Sequence, residues 1–191
     1  MSAEIDALER AMQLEERPEA EQVVLVDAED RPTGTAGKMA AHRDGALHRA
    51  FSVIIWNSKG EVLLQRRALC KYHSGGLWTN ACCGHPRPGE PVAAAALRRL
   101  GEELGLACPL EEFGTITYRA ELDQGLVEHE FVHVFRGTFD GVFVPAPEEV
   151  SEVRWISPAA LLSAFDATPE VFTAWFVKYM RAVWPLERPA S

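Results

Sequence analysis

Residues 84–105 read GHPRPGEPVAAAALRRLGEELG, and the fold is decided by how this stretch is understood. From Pro91 the spacing predicts a helix over 91–105. Proline suits the first helical position, Ala93, Ala96, Leu97, Leu100 and Leu104 recur on one stripe, and Gly105 suits the C-terminal cap. From Gly84, five residues lead to Glu90 and seven more to Arg98, followed by Leu100, Glu102, Glu103 and Gly105. Carboxylates at helical spacing offer hard oxygen ligands to a divalent cation, which can grip a diphosphate. The plainer reading makes Arg98–Glu102 and Arg99–Glu103 ion pairs on a wet helix face, worth about 0.2–0.5 kcal/mol each. Gly84, Glu90 and Gly105 in register favour the cation site.

Outward from this helix, the preceding loop LCKYHSGGLWTNACCGHPRPGEP (69–91) is rich in Gly, Pro, His and Cys. Connections of that length are more often functional than ornamental. RAFSVIIWN (49–57) and EVLLQRRA (61–68), joined at Ser58-Lys59-Gly60, predict a hairpin. VVLVDAEDRPTG (23–34) predicts a strand closing in a polar turn, and KMAAH (38–42) a helical turn. Strands are expected over 113–122, 126–139 and 152–157, with a short helix over 158–165. A final helix is expected over 166–184, with Thr168 as N-cap and Pro169 in its first turn. Ile5, Leu8 and Met12 predict a short amphipathic helix within 2–16. Strands and helices interleave without a regular βαβ repeat, which implies an α/β (α+β) fold with a mixed central sheet and helices on both faces. One domain over 22–184 is expected, after an extension (1–21) and before a short tail (185–191).

The 191 residues suit one domain, and 47% hydrophobic with 25% charged residues is a globular balance that excludes a disordered chain. No apolar run reaches the roughly 18–20 residues of a membrane span, and the acidic N-terminus lacks a signal-peptide core. A net charge of −9, from 19 Lys and Arg against 28 Asp and Glu, argues against a general nucleic-acid binder. The four cysteines include no CxxC pair, which implies reduced thiols and a cytoplasmic protein.

Several residues could carry chemistry. Glu128 and Glu130 lie two apart in a strand, so both point to the face shared by Leu126, Val132 and Val134, while His129 and His133 point away. A carboxylate pair against an apolar wall needs a metal or a shared proton. His42, His48 and His85 are weak signals singly. With the two carboxylates they could complete a site for Mn²⁺, Fe²⁺ or Zn²⁺. Cys83, beside Gly84-His85, could act as an acid or base, whereas Cys82 reads as a small buried hydrophobe. Arg67 and Lys71, with Lys38 and Arg99, make small positive islands in an acidic chain, suited to a compact phosphate ligand. Trp175 lies among Phe172, Phe176 and Tyr179 and reads as core.

The spacing from Gly84 to Gly105 matches the Nudix box except that Arg99 replaces the Glu following its Arg. Taken in order, PTGTAGKMAAH, LHRAFSV, LLQRRAL, WTNACCGHPRPGE, RRLGEELG, YRAELDQGLVEHE and DATPEVFTAW resemble the type 1 isopentenyl-diphosphate Δ-isomerases, a Nudix-fold family, over residues 22–180. The resemblance implies an α/β/α sandwich and an enzyme of isoprenoid biosynthesis. The reaction would interconvert isopentenyl and dimethylallyl diphosphate by antarafacial proton addition and removal, through a tertiary carbocation-like state. It implies Cys83 and Glu130 as the acid/base pair, Tyr118 assisting on the Glu130 side, and Trp175 facing the cation. It implies an Mn²⁺-, Zn²⁺- or Fe²⁺-type site of His42, His48, His85, Glu128 and Glu130. A Mg²⁺ on Glu103 and the Cys83 carbonyl would meet the diphosphate, gripped by Lys38, Arg67, Lys71 and Arg99. The cation at Arg99 argues for gripping over hydrolysis. The alternatives are a Nudix pyrophosphohydrolase acting on a small diphosphate and a non-catalytic binding module.

Overall fold

A computed structural model describes residues 21–71, 73–122 and 125–183. In chain order the elements are β1 (Gln22–Val26), β2 (Pro32–Gly37), α1 (Lys38–Asp44), β3 (His48–Trp56), β4 (Val62–Arg67), β5 (Trp78–Asn80) and β6 (Cys82–Gly84). They continue as α2 (Val92–Leu104), β7 (Leu110–Glu121), β8 (Val127–Thr138), β9 (Val150–Ile156), α3 (Pro158–Ala167), a 3-10 turn (Pro169–Val171) and α4 (Ala174–Ala182).

All nine strands join one mixed sheet, and β3 is its hub. It pairs in parallel with β8 from His48–Glu130 to Trp56–Thr138, and antiparallel with β6 through Ser52–Cys83. β4 meets β3, β5 and β9, and β7 runs antiparallel along β8. Side chains on β3 alternate with a period of two, so its two faces feed two cores. Ala50, Ile54 and Trp56, with Val132 and Val134, pack under α3 and α4 through Leu161, Phe165, Phe176 and Tyr179. Phe51, Val53 and Ile55 pack against Ala95, Ala96, Leu100 and Leu104 of α2. Helices therefore cover both faces, as an α/β/α sandwich requires.

Three sequence expectations are corrected. The stretch 23–34 is a hairpin rather than one strand: Asp27 to Arg31 turns back, the Asp27 carboxylate accepts from Glu29 N and Arg31 N, and β2 follows. The buried stripe of α2 is Ala95, Ala96, Leu100, Glu103 and Leu104, whereas Ala93 and Leu97 face water. This small rotation about the helix axis carries Glu103 inward. The expected final helix is broken in two. Phe172 is extended and bridges to Trp78, Thr173 N donates to Trp78 O at 2.9 Å, and α4 begins only at Ala174. The docking of Phe172 on β5 outweighs local helix propensity. Within the 69–91 loop the structure also places β5 and β6.

Elsewhere local chemistry decides. Pro91 is the residue preceding α2, and Gly105 closes it in the left-handed region at φ +60, where a Cβ would meet Val144 Cβ at 2.8 Å. Ser157 Oγ accepts from Ala160 N at 3.3 Å to open α3. The expected N-terminal helix at 2–16 and the tail at 185–191 lie outside the described residues. No helix among the described residues is long and apolar enough to cross a membrane.

Candidate active site

The site grows from the β3 face shared with β6, β8 and α4. Parallel pairing sets Glu130 beside His48, and antiparallel pairing sets Cys83 beside Ser52. The expected alternation along β8 is observed. Glu128 and Glu130 are buried with Leu126, Val132 and Val134, while His129 and His133 point to the other side. His129 Nδ1 donates to Gly45 O at 3.0 Å, and His133 lies between Asp30 and Glu112.

His42, His48, His85 and Glu130 bring four ligand atoms within 4.8 Å of one another. The tautomers fit a metal. His42 Nδ1 donates to Lys38 O at 2.8 Å and His48 Nδ1 to Ala46 O at 2.8 Å, and a carbonyl can only accept. Both rings therefore leave Nε2 to face the other ligand atoms, in the manner of metal-binding histidines steadied by backbone oxygens. His48 Nε2 is buried without a hydrogen-bond partner, 3.6 Å from Glu130 Oε1. His85 Nε2 meets Glu130 Oε1 at 2.9 Å, but burial pushes its pKa down to about 3 despite Glu130, so the contact is a neutral hydrogen bond. Three imidazoles and one carboxylate suit a divalent ion of the Zn²⁺, Mn²⁺ or Fe²⁺ kind.

Glu128, expected as a fifth ligand, stands outside this group and faces Tyr118. The Tyr118 hydroxyl lies 2.9 Å from Glu128 Oε2 and 2.7 Å from Glu130 Oε2. One hydroxyl proton is shared between the two carboxyls. Burial and the neighbouring Glu130 push Glu128 well up, while His48 and His85 hold Glu130 well down against its own burial, so the two carboxyls are driven apart in acidity.

Cys83 lies on the same face, on β6 along the edge of β3 opposite β8. Its Sγ lies 3.0 Å from Asn80 Oδ1 and 3.4 Å from Ser52 Oγ, and burial pushes the thiol up to about 12. Asn80 is itself pinned: Nδ2 lies within 3.0 Å of Ser52 Oγ, Val53 O and Cys82 O, with two protons to share among them, and Oδ1 accepts from Thr79 Oγ1. Cys82, fully buried, turns to the α2 side, as its hydrophobic reading implies. All four cysteines are free.

Burial, with Arg67, Lys38 and Lys71 adding to it, pushes the His73 pKa down to about 2. The Arg67 guanidinium lies 5.3 Å from the Trp175 ring centre, and the His73 ring meets that indole edge-on at 5.4 Å. Trp175 belongs to the core, as its apolar neighbours imply. Its Nε1, Arg67 Nε and the Tyr179 hydroxyl are buried without partners among the described residues, polar atoms suited to a ligand. Glu103 belongs to the opposite sheet face. It accepts from Gln65 at 2.9 Å and from Arg99 at 2.7 Å, near the cations but apart from the histidine group. The Arg98–Glu102 pair is present, and Glu90 also binds Arg98 at 2.8 Å, so the box carries a structural ion network as well.

Sequence reading missed His73, Asn80, Ser52 and Glu149. The first three occupy quoted segments, but which way each side chain turns depends on β5 and β6. Glu149, in PEEV, carries no local signal; it binds Lys71 and Arg99 across the fold.

The fold and the box define a class. A model of the NUDIX domain matches residues 46–176. A Deinococcus radiodurans crystal structure superposes with a TM-score of 0.72 at 19% identity, covering 86% of this chain and 99% of that one. The MutT protein of Methanosarcina mazei gives 0.59 at 23% identity, over 71% and 91%. Among curated relatives, the isopentenyl-diphosphate Delta-isomerase of Burkholderia multivorans is 53% identical over 82% of this chain and 89% of its own. That of Pectobacterium atrosepticum is 53% identical over 81% and 87%, and that of Nocardia farcinica 48% over 83% and 91%. The chain belongs to the NUDIX family and, within it, to the isopentenyl-diphosphate Delta-isomerases.

Proposed function

We propose that this protein interconverts isopentenyl and dimethylallyl diphosphate, with Cys83 and Glu130 as the two proton-handling groups. The observation that carries the reading is their placement: one strand, β3, holds a thiol through Ser52 and a carboxylate through His48 on one buried face. An alkene is a weak base, so protonating it requires an acid kept dry and close, and a cation stabilised as it forms. One group delivers a proton to one alkene carbon and the other removes a proton from the neighbouring allylic carbon. The electron pair of that C–H bond becomes the new double bond, and the diphosphate group stays attached and unchanged. Tyr118 steadies the Glu130 carboxylate. The Trp175 ring faces the developing cation, a contact worth about 0.5–2 kcal/mol.

His42, His48, His85 and Glu130 are the residues that would hold a divalent ion, with Glu128 adjacent. When bound, it supplies fixed positive charge that orients and tunes the Glu130 carboxylate. Glu103 would take a Mg²⁺ that neutralises the diphosphate, with Lys38, Arg67, Lys71 and Arg99 gripping it. Residues 22–184 work as a single cytoplasmic domain on a small-molecule diphosphate, without nucleic acid or membrane insertion.

The test is proton NMR of isopentenyl diphosphate with the protein, Mg²⁺ and Mn²⁺ in D₂O, beside a phosphate-release assay. Deuterated dimethylallyl diphosphate without phosphate release supports the reading. Phosphate release without isomer would replace it with pyrophosphate hydrolysis.

A further inference from the structure

We infer that Glu149 is a positioning residue for the diphosphate: its carboxylate sets the Lys71 ammonium and the Arg99 guanidinium side by side as one anion clamp. The inference rests on the isomerase reading, which supplies the diphosphate. Lys71 lies in the connection after β4, Arg99 on α2, and Glu149 just ahead of β9, so three separate elements meet here. Glu149 Oε2 is 2.6 Å from Lys71 Nζ, and Oε1 is 3.1 Å from an Arg99 guanidinium nitrogen. That same nitrogen is 2.7 Å from Glu103 Oε1 and the neighbouring one is 2.9 Å from Glu102 Oε2, so three carboxylates hold the guanidinium.

The backbone delivers Glu149 to a fixed place. Ala68 N donates to Glu149 O at 2.9 Å, Ala146 N to Glu103 O at 2.9 Å, and Ser151 Oγ to Arg66 O at 3.2 Å, which ties residues 146–151 to both neighbouring elements. The three side chains are 21–25% exposed, so solvent reaches each of them. Burial works against the carboxylate's charge, but Lys71 and Arg99 outweigh it and hold its pKa down at about 2, so the carboxylate is charged at neutral pH.

A carboxylate repels a diphosphate, so its contribution must pass through the cations it orders. Two cations gathered for an anion repel each other before the anion arrives, and both side chains are flexible. An intervening carboxylate removes the repulsion and fixes the rotamers, so less ordering remains when the ligand binds. It uses one proton of the Lys71 ammonium and leaves two for phosphate oxygens.

The experiment compares wild type, Glu149→Gln, Lys71→Met and the double variant. It combines steady-state kinetics on isopentenyl diphosphate with calorimetric binding of inorganic pyrophosphate, both with Mg²⁺. Glu149→Gln should raise KM and the pyrophosphate Kd about tenfold while kcat stays within about twofold. The double variant should fall short of the two single effects combined, because part of the Glu149 effect runs through Lys71 and only the Arg99 part remains without it. A lowered KM, a fall in kcat at constant KM, or full additivity in the double variant would overturn the inference. Should Glu149→Gln fail to fold, Glu149→Asp keeps the charge but is too short to span both cations; an unchanged KM there overturns it equally. Wild type that neither isomerises nor binds pyrophosphate removes the isomerase reading itself, whereas active wild type with an indistinguishable Glu149→Gln removes the clamp alone.

Discussion

Replacing Asn80 by Asp keeps the shape of the side chain and reverses its hydrogen-bonding sense on one side. Asn80 is 2% exposed, and its amide nitrogen serves Ser52 Oγ at 2.9 Å, Val53 O at 3.0 Å and Cys82 O at 2.8 Å. The two carbonyls accept only, which settles which end of the amide is nitrogen. In Asn80→Asp both N–H protons are gone. Val53 O and Cys82 O then face an oxygen, at about 1–3 kcal/mol for each buried unpaired group. Ser52 can rotate to donate and stay paired. A loss of about 2–6 kcal/mol at pH 7 follows, a large share of the roughly 5–15 kcal/mol of a typical domain. Urea unfolding at constant m-value measures it. The sign of the pH effect is fixed as well. Burial among acceptors raises the new carboxyl's folded pKa above its unfolded value of about 3.9, so the penalty is full above the folded pKa and fades as pH falls through it. The gap to wild type should therefore narrow between pH 7 and pH 5. A loss under about 1 kcal/mol, or a gap that widens on acidification, would refute the pinned amide and with it the ordered Cys83 thiol.

Chelator-treated protein should melt lower than protein supplied with Mn²⁺ or Zn²⁺, by about 2.7 kcal/mol at a hundredfold excess over Kd, and His48→Ala should abolish that shift in a calorimetric scan. Burial holds His73 at about 2 and His85 at about 3, below the unfolded 6.5. The unfolded chain then takes up protons first, so stability falls as pH drops below 6.5, by up to about 1.4 kcal/mol per unit for each group. Removing one, as in His73→Asn, should flatten a urea series between pH 6.5 and 4. Leu100, 0% exposed between α2 and the sheet, should lose about 2–5 kcal/mol on truncation to Ala by the same assay; less than 1 would mean that α2 is not packed as described.

Patterns with a strong local cause were legible. Alternation along β8 placed Glu128 and Glu130 inward, and Gly105 and Ser157-Pro158 marked helix ends, because period and capping are decided within a few residues. The break before α4 was not legible, since its cause is a bridge to Trp78 almost a hundred residues away in sequence. The α2 stripe was misread by a small rotation because alanines signal a face weakly, and that rotation is what brings Glu103 inside. The histidine group was expected from a resemblance; its convergence depends on β3, β6, β8 and α1 meeting, which no spacing states. Glu149 was invisible for the same reason.

Cys83 and Glu130 hang from rungs of a single strand, four residues apart at Ser52 and His48. At about 3.3 Å per residue the ladder spaces those rungs by roughly 13 Å, a gauge set by backbone pairing rather than by any loop. A slip of β6 by one residue would exchange Cys83 for Cys82 or Gly84 on the site face, and a matching slip of β8 would substitute His129 or Phe131 for Glu130. Variation is thus partitioned. The connections around the site can lengthen, shorten or change composition and retune which chains fit, while the span between thiol and carboxylate stays fixed as long as three strands keep their register.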